Sequence, residues 1–104
     1  MKKLLIVTTA TTFALLLAAG SGFAAMSGQD VYNQACGSCH NSGIANAPKL
    51  GDADVWSTRL EQGKETLYDS AINGKGSMPP KGGQSGLSDA EVKSAVDYIL
   101  NKSK

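Results

Sequence analysis

The chain has 104 residues, of which 41% are hydrophobic and 18% charged, and its formal net charge is +1. That balance excludes the strongly basic surface of a nucleic-acid binder and the high net charge of a disordered chain. The averages hide a division, because after Lys2 and Lys3 no charged residue occurs before Asp30.

The first 24 residues have the three-part pattern of a secretory signal. Two lysines precede a run from Leu4 to Ala19 that is apolar apart from threonines, and small residues follow, ending in Gly22-Phe23-Ala24. Cleavage is expected after Ala24, which places the protein in the periplasm. An uncleaved anchor over Leu4 to Met26 is the alternative, and its threonines and glycines make it a poor membrane helix. The predicted organisation is a signal at 1–24 and one domain at 25–104.

The predicted mature chain of 80 residues carries eight Lys and Arg against nine Asp and Glu, a net charge of −1. Leu, Ile, Val and Phe make up only 12 of the 80. That share falls below the roughly 20% associated with disorder when net charge is also high. With a small net charge the composition points instead to a folded chain whose core something other than side chains completes.

The elements predicted along the chain are all helical. The first helix starts at Ser27, whose hydroxyl can cap it, and carries Val31, Tyr32 and Ala35 toward Cys36; Gly28 near its start would let another helix approach closely. A second fits Asp52 to Gln62, capped by Asp52 and stopped by Gly63. A third fits Lys64 to Ile72, stopped by Asn73-Gly74. Asn73 to Gly86 reads as a loop whose single large apolar side chain is Met78. The last helix runs from Ser88 to Lys102. Ser88 to Glu91 form a capping box, Leu87 and Val92 a hydrophobic staple, and Val92, Ala95, Val96 and Ile99 one buried face.

Both cysteines and the single histidine fall within Cys36-Gly37-Ser38-Cys39-His40, the spacing of a c-type haem attachment site. On a helical turn Cys36 and Cys39 are i, i+3 neighbours, so each sulfur can add to one haem vinyl group. His40 lies i+4 from Cys36, where its imidazole can reach the iron. Three other readings exist. A thioredoxin-type redox pair belongs to a βαβ context that is absent. A structural zinc site needs a fourth ligand the cluster does not supply. A disulfide across so short a loop would stabilise little.

The second axial position has few candidates. No other histidine exists, Met1 leaves with the signal, and Met26 sits beside the cleavage site, so Met78 is the expected ligand. Preceding a proline, it is pushed out of the helical region; Gly76 lets the backbone come close to a ring, and Pro79-Pro80 restricts the loop. The competing reading of Met78 is an ordinary core filler.

On these residues the chain resembles a small monohaem class I cytochrome c, similar to the bacterial cytochrome c5 group. The resemblance covers 27–104 and is carried by the Cys36–His40 motif, Ala47-Pro48-Lys49-Leu50-Gly51-Asp52, and Ala71 through Gly83. It implies an all-α fold of about four helices around one covalent haem c. It also implies that the Pro48 carbonyl accepts from Nδ1 of His40, that Gly28, Tyr32 and Tyr98 form a crossing of the first and last helices, and that Trp56 and Arg59 lie near a haem propionate. The extra cysteine pair of some members is missing.

The function implied is that of a periplasmic electron carrier, not an enzyme, with His40 and Met78 as axial ligands. It would be a monomer serving the respiratory chain and meeting periplasmic or membrane-bound redox proteins at small transient interfaces. Lys75 and Lys81 are candidates for a docking rim. The alternative is a haem enzyme or gas-binding protein with a labile distal ligand, against which stands the lack of His, Arg or acid beside Met78.

Overall fold

A computed structural model describes residues 24–104, so all of the predicted export signal except Ala24 lies outside the described residues. The first helical body is built from three pieces end to end: α1 (Gly28–Val31), a π turn (Tyr32–Cys36) and α2 (Gly37–His40). After it come α3 (Ala53–Leu60), α4 (Lys64–Asn73) and α5 (Asp89–Lys102). Two short 3₁₀ turns, Ile44–Asn46 and Pro80–Gly83, lie in the connections. The described residues therefore form four helical bodies without a β-strand, and no helix among them is long and apolar enough to cross a membrane.

The predicted caps are present. Ser27 Oγ accepts from Asp30 N at 3.2 Å, and Asp52 Oδ1 accepts from Val55 N at 3.3 Å. At α5 the capping box is complete in both directions, with Glu91 N donating to Ser88 Oγ and Ser88 N donating to Glu91 Oε1. Each bond satisfies a donor that the helix itself leaves without a partner. Leu87 and Val92 are buried in one cluster, as the staple requires.

The scaffold is the crossing of α1 over α5. Its closest approach is at Gly28, where a Cβ would stand 2.2 Å from the carbonyl oxygen of Ser94. Beside it the rings of Tyr32 and Tyr98 meet with centroids 5.3 Å apart. Val31, Ala35, Leu67, Ala71, Leu87, Val92, Ala95 and Val96 fill the space between α1, α4 and α5, and Tyr32, Trp56 and Ile99 form a second cluster. Replacing Gly28 with alanine forces the two backbones apart, so chemical denaturation of the haem-loaded protein should show a loss of about 1–3 kcal/mol.

Glu91 does more than cap its helix. Its Oε2 also accepts from Met26 N at 2.9 Å, across 65 positions of sequence, and this ties the entrance of α1 to the start of α5. The amides of Ser88 and Met26 hold its carboxyl below the usual range. A depressed folded pKa contributes stability that is present above the ordinary carboxylate pKa and lost as pH falls through the folded value. Glu91→Gln should therefore lower the melting temperature at neutral pH, and the gap from wild type should close on acidification; a gap that stays constant with pH would contradict this.

Candidate functional site

The site is assembled from the end of the first helical body and two loops. Cys36, Cys39 and His40 come from the π turn and α2, and both thiols are free and half-buried. Burial pushes the Cys36 thiol up to about 11. A dithiol oxidoreductase needs a thiolate at such a position, stabilised rather than suppressed by its surroundings, so this observation weighs against redox exchange at the pair.

His40 is 7% exposed and held from three sides. Its Nδ1 lies 2.7 Å from the carbonyl oxygen of Pro48, as the family resemblance implied. Its own carbonyl accepts from Leu50 N at 2.8 Å, and its ring faces that of Trp56 at 5.9 Å. With the proton on Nδ1 donated to a carbonyl, the lone pair is on Nε2, the arrangement in which an imidazole binds a metal. The segment 47–50 is thus a clamp on one side chain. Between it and α2, the chain turns through three left-handed residues, Gly43 (φ 79°), Ala45 (φ 55°) and Asn46 (φ 62°), and leaves Ile44 59% exposed.

Trp56 is fixed by a polar contact within the protein, its Nε1 donating to the Lys49 carbonyl at 2.8 Å. Its buried ring packs at His40. Arg59 lines a cleft of about 540 Å³ together with Asp54, Val55, Thr58, Gln62 and Lys75, and its guanidinium is the only one in the chain.

Met78 sits on a tight hairpin. Lys75 N donates to the Met78 carbonyl at 3.0 Å and Met78 N to the Lys75 carbonyl at 2.9 Å, with Gly76 at φ 57° in the turn position that favours glycine. The loop is brought to the cysteine helix by Gly82, where a Cβ would fall 2.4 Å from the carbonyl oxygen of Ala35, the residue before Cys36. Lys81 adopts φ 55°, and its ammonium bonds to the Leu87 carbonyl at 2.7 Å and to Asp89 at 3.1 Å. The sequence suggested Lys81 for a docking rim; folding directs its charge inward to fasten the loop, and Lys75 alone lines the open cleft.

Several contributors have no signature in the sequence. Asn41 accepts the Tyr32 hydroxyl at 2.6 Å, Lys49 serves through its carbonyl, and Ser103 accepts from Gly51 N at 2.9 Å. Only Gly82 has a sequence signal, the Gly82-Gly83 pair that closes Pro79-Pro80-Lys81.

A family described as cytochrome c oxidase, cbb3-type, subunit III matches residues 23–99. Cytochrome c-555 of Chlorobaculum tepidum is 42% identical, over 94% of this chain and 96% of that protein. Cytochrome c5 of Azotobacter vinelandii is 42% identical over 72% and 93% respectively. The chain belongs to the class I cytochrome c family. Among solved structures, the cytochrome c in an electron-transfer complex with nitrite reductase matches 74% of this chain and 94% of its own, with a TM-score of 0.70 at 43% identity. A mono-haem ferrocytochrome c from Shewanella putrefaciens matches 79% and 100%, with a TM-score of 0.66 at 33% identity. As a member of this family the cytochrome carries one covalent haem c, and Cys36 and Cys39 are its two cysteines. The free thiols, the oriented imidazole and the backbone-lined loop fit that group.

Proposed function

We propose that this cytochrome c is a periplasmic carrier of single electrons, exported by residues 1–24 and active as the domain 25–104, with His40 and Met78 as the axial ligands of its haem. The observation that carries the reading is the geometry of His40. A buried imidazole beside two free thiols, with Nδ1 bonded to the Pro48 carbonyl, has Nε2 as its remaining base. Once attached, the haem supplies reversible one-electron chemistry at a potential that a His/Met pair raises.

The protein's own residues hold this site still. Pro48 fixes the tautomer and ring angle of His40, Trp56 packs against the ring, and the hairpin bonds between Lys75 and Met78 limit the movement of the thioether's backbone. Arg59, from α3, is proposed to meet a propionate in the cleft it lines, since a guanidinium suits a carboxylate. The solved complex of a related cytochrome with nitrite reductase supports a redox protein as the partner. Exposed Ile44, close in sequence to Cys39 and His40, suits a small apolar contact with such a partner.

Haem staining after denaturing electrophoresis and visible spectra in both redox states test the proposal. A covalent haem, a low-spin spectrum and a ferric Met–iron charge-transfer band are expected. A lack of that band together with rapid carbon monoxide binding would favour a haem enzyme or gas-binding protein. Amino-terminal sequencing of exported protein should begin at Ala25.

A further inference from the structure

The helix that carries Cys36, Cys39 and His40 is interrupted just before them. Within Tyr32–Cys36 it widens to a π turn, closed by Gly37 N donating to the Tyr32 carbonyl five residues back. A π turn adds one residue to the helix, so side chains beyond it are rotated by about 100° from where an unbroken α-helix would place them. At its start, Val31 and Tyr32 are each 1% exposed and belong to the two buried clusters. After it, the i, i+3, i+4 relation of Cys36, Cys39 and His40 is intact, but the direction the three face as a set depends on the extra residue.

One hydrogen bond spans the whole interruption. The hydroxyl of Tyr32, the first residue of the π turn, donates to Asn41 Oδ1 at 2.6 Å. Asn41 directly follows His40, and Asn41 N donates to the Gly37 carbonyl at 3.0 Å. Gly37 lies under the bridge: a Cβ there would stand 3.0 Å from Asn41 Nδ2 and 3.5 Å from Tyr32 Cε1. A buried phenol must find a partner, and here the partner is placed so that the bond joins the two ends of the segment that contains Cys36, Cys39 and His40.

We propose that Tyr32 and Asn41 are positioning residues of the haem site, whose hydrogen bond holds the π turn and so sets the direction in which Cys36, Cys39 and His40 face. The proposal rests on the reading of His40 as an iron ligand. Without the bridge the turn is free to relax toward the α register, and the orientation of the His40 ring relative to the two cysteines is no longer fixed.

The test uses haem-loaded protein and two readouts: the shifted haem methyl resonances of the ferric form, which report axial-ligand orientation, and the amount of haem attached per chain during maturation. Tyr32→Phe and Asn41→Leu should move the same resonances in the same direction and lower attachment several-fold. The double variant should be no worse than either single one, because both remove one interaction. Asn41→Asp keeps an acceptor for the phenol and should retain the native resonances. Tyr98→Phe, which leaves the bridge intact, should leave the resonances unmoved. Single-variant effects that add in the double variant, or a loss of melting temperature with unmoved resonances, would overturn the proposal. If Tyr32→Phe does not accumulate, the contrast between Asn41→Asp and Asn41→Leu decides the matter, and equal spectra there would overturn it. Wild-type protein without a low-spin spectrum would overturn the ligand reading and this proposal together, whereas a normal wild-type spectrum with unchanged variants would overturn this proposal alone.

Discussion

Met78→Ala should abolish the Met–iron charge-transfer band of the ferric protein, let the ferrous form bind carbon monoxide, and lower the reduction potential. The expectation follows from Met78 as the proposed second axial ligand. Met26, the other methionine of the predicted mature chain, is occupied elsewhere: its side chain packs on the α1–α4–α5 cluster and its amide is bonded to Glu91. Met78 is presented by a hairpin whose two hydrogen bonds involve its own backbone, so losing the side chain does not oblige the loop to move. Its side chain is half-buried against the same cluster, and truncation should also cost about 2 kcal/mol of stability, at the low end for buried methionines. The spectral change and the stability loss are separable. Met78→Leu should recover most of the stability and none of the band, and a band that persists in either variant would show that another residue is the ligand.

The second large effect is expected from removing the haem. Protein matured without it should show no cooperative thermal transition by calorimetry or circular dichroism, and a sharp transition would refute this. Of the eleven buried hydrophobic residues among those described, three are alanines, and Tyr32 and Val31 are the larger ones fully enclosed. The side chains lie in two clusters, and His40, though buried, belongs to a loop-built site held by hydrogen bonds to Pro48 and Leu50. The α1–α5 crossing joins elements at opposite ends of the described chain, so its loop-closure entropy must be offset by packing that the side chains alone do not supply.

Much of the site was readable in advance because its determinants are local. Two thiols and an imidazole at fixed spacing specify haem attachment through the covalent chemistry itself, and elimination among three methionines leaves Met78 as the proposed second axial ligand. Helix ends followed the same logic. Ser27, Asp52 and the Ser88–Glu91 box each act within one turn, and Gly28 marks a close approach because only glycine lacks a Cβ.

What was not readable depends on partners distant in sequence or on backbone atoms that every residue possesses. Nothing in Tyr-Asn-Gln-Ala-Cys distinguishes a π turn from an α turn, since five residues are too few for an apolar pattern to tell the two periods apart. In the proposed account the choice is made where Tyr32 meets Asn41. The carbonyls of Lys49 and Leu87, which receive Trp56 and Lys81, cannot be told from any others until the chain has folded around them. The sequence by itself determined the cofactor, its attachment points and the helices, because covalent spacing and capping act over a few residues. The tertiary structure alone decided which way the motif faces, where the charge of Lys81 goes and how Glu91 joins the two ends of the domain, because each is settled by close packing between segments that meet only in the folded state.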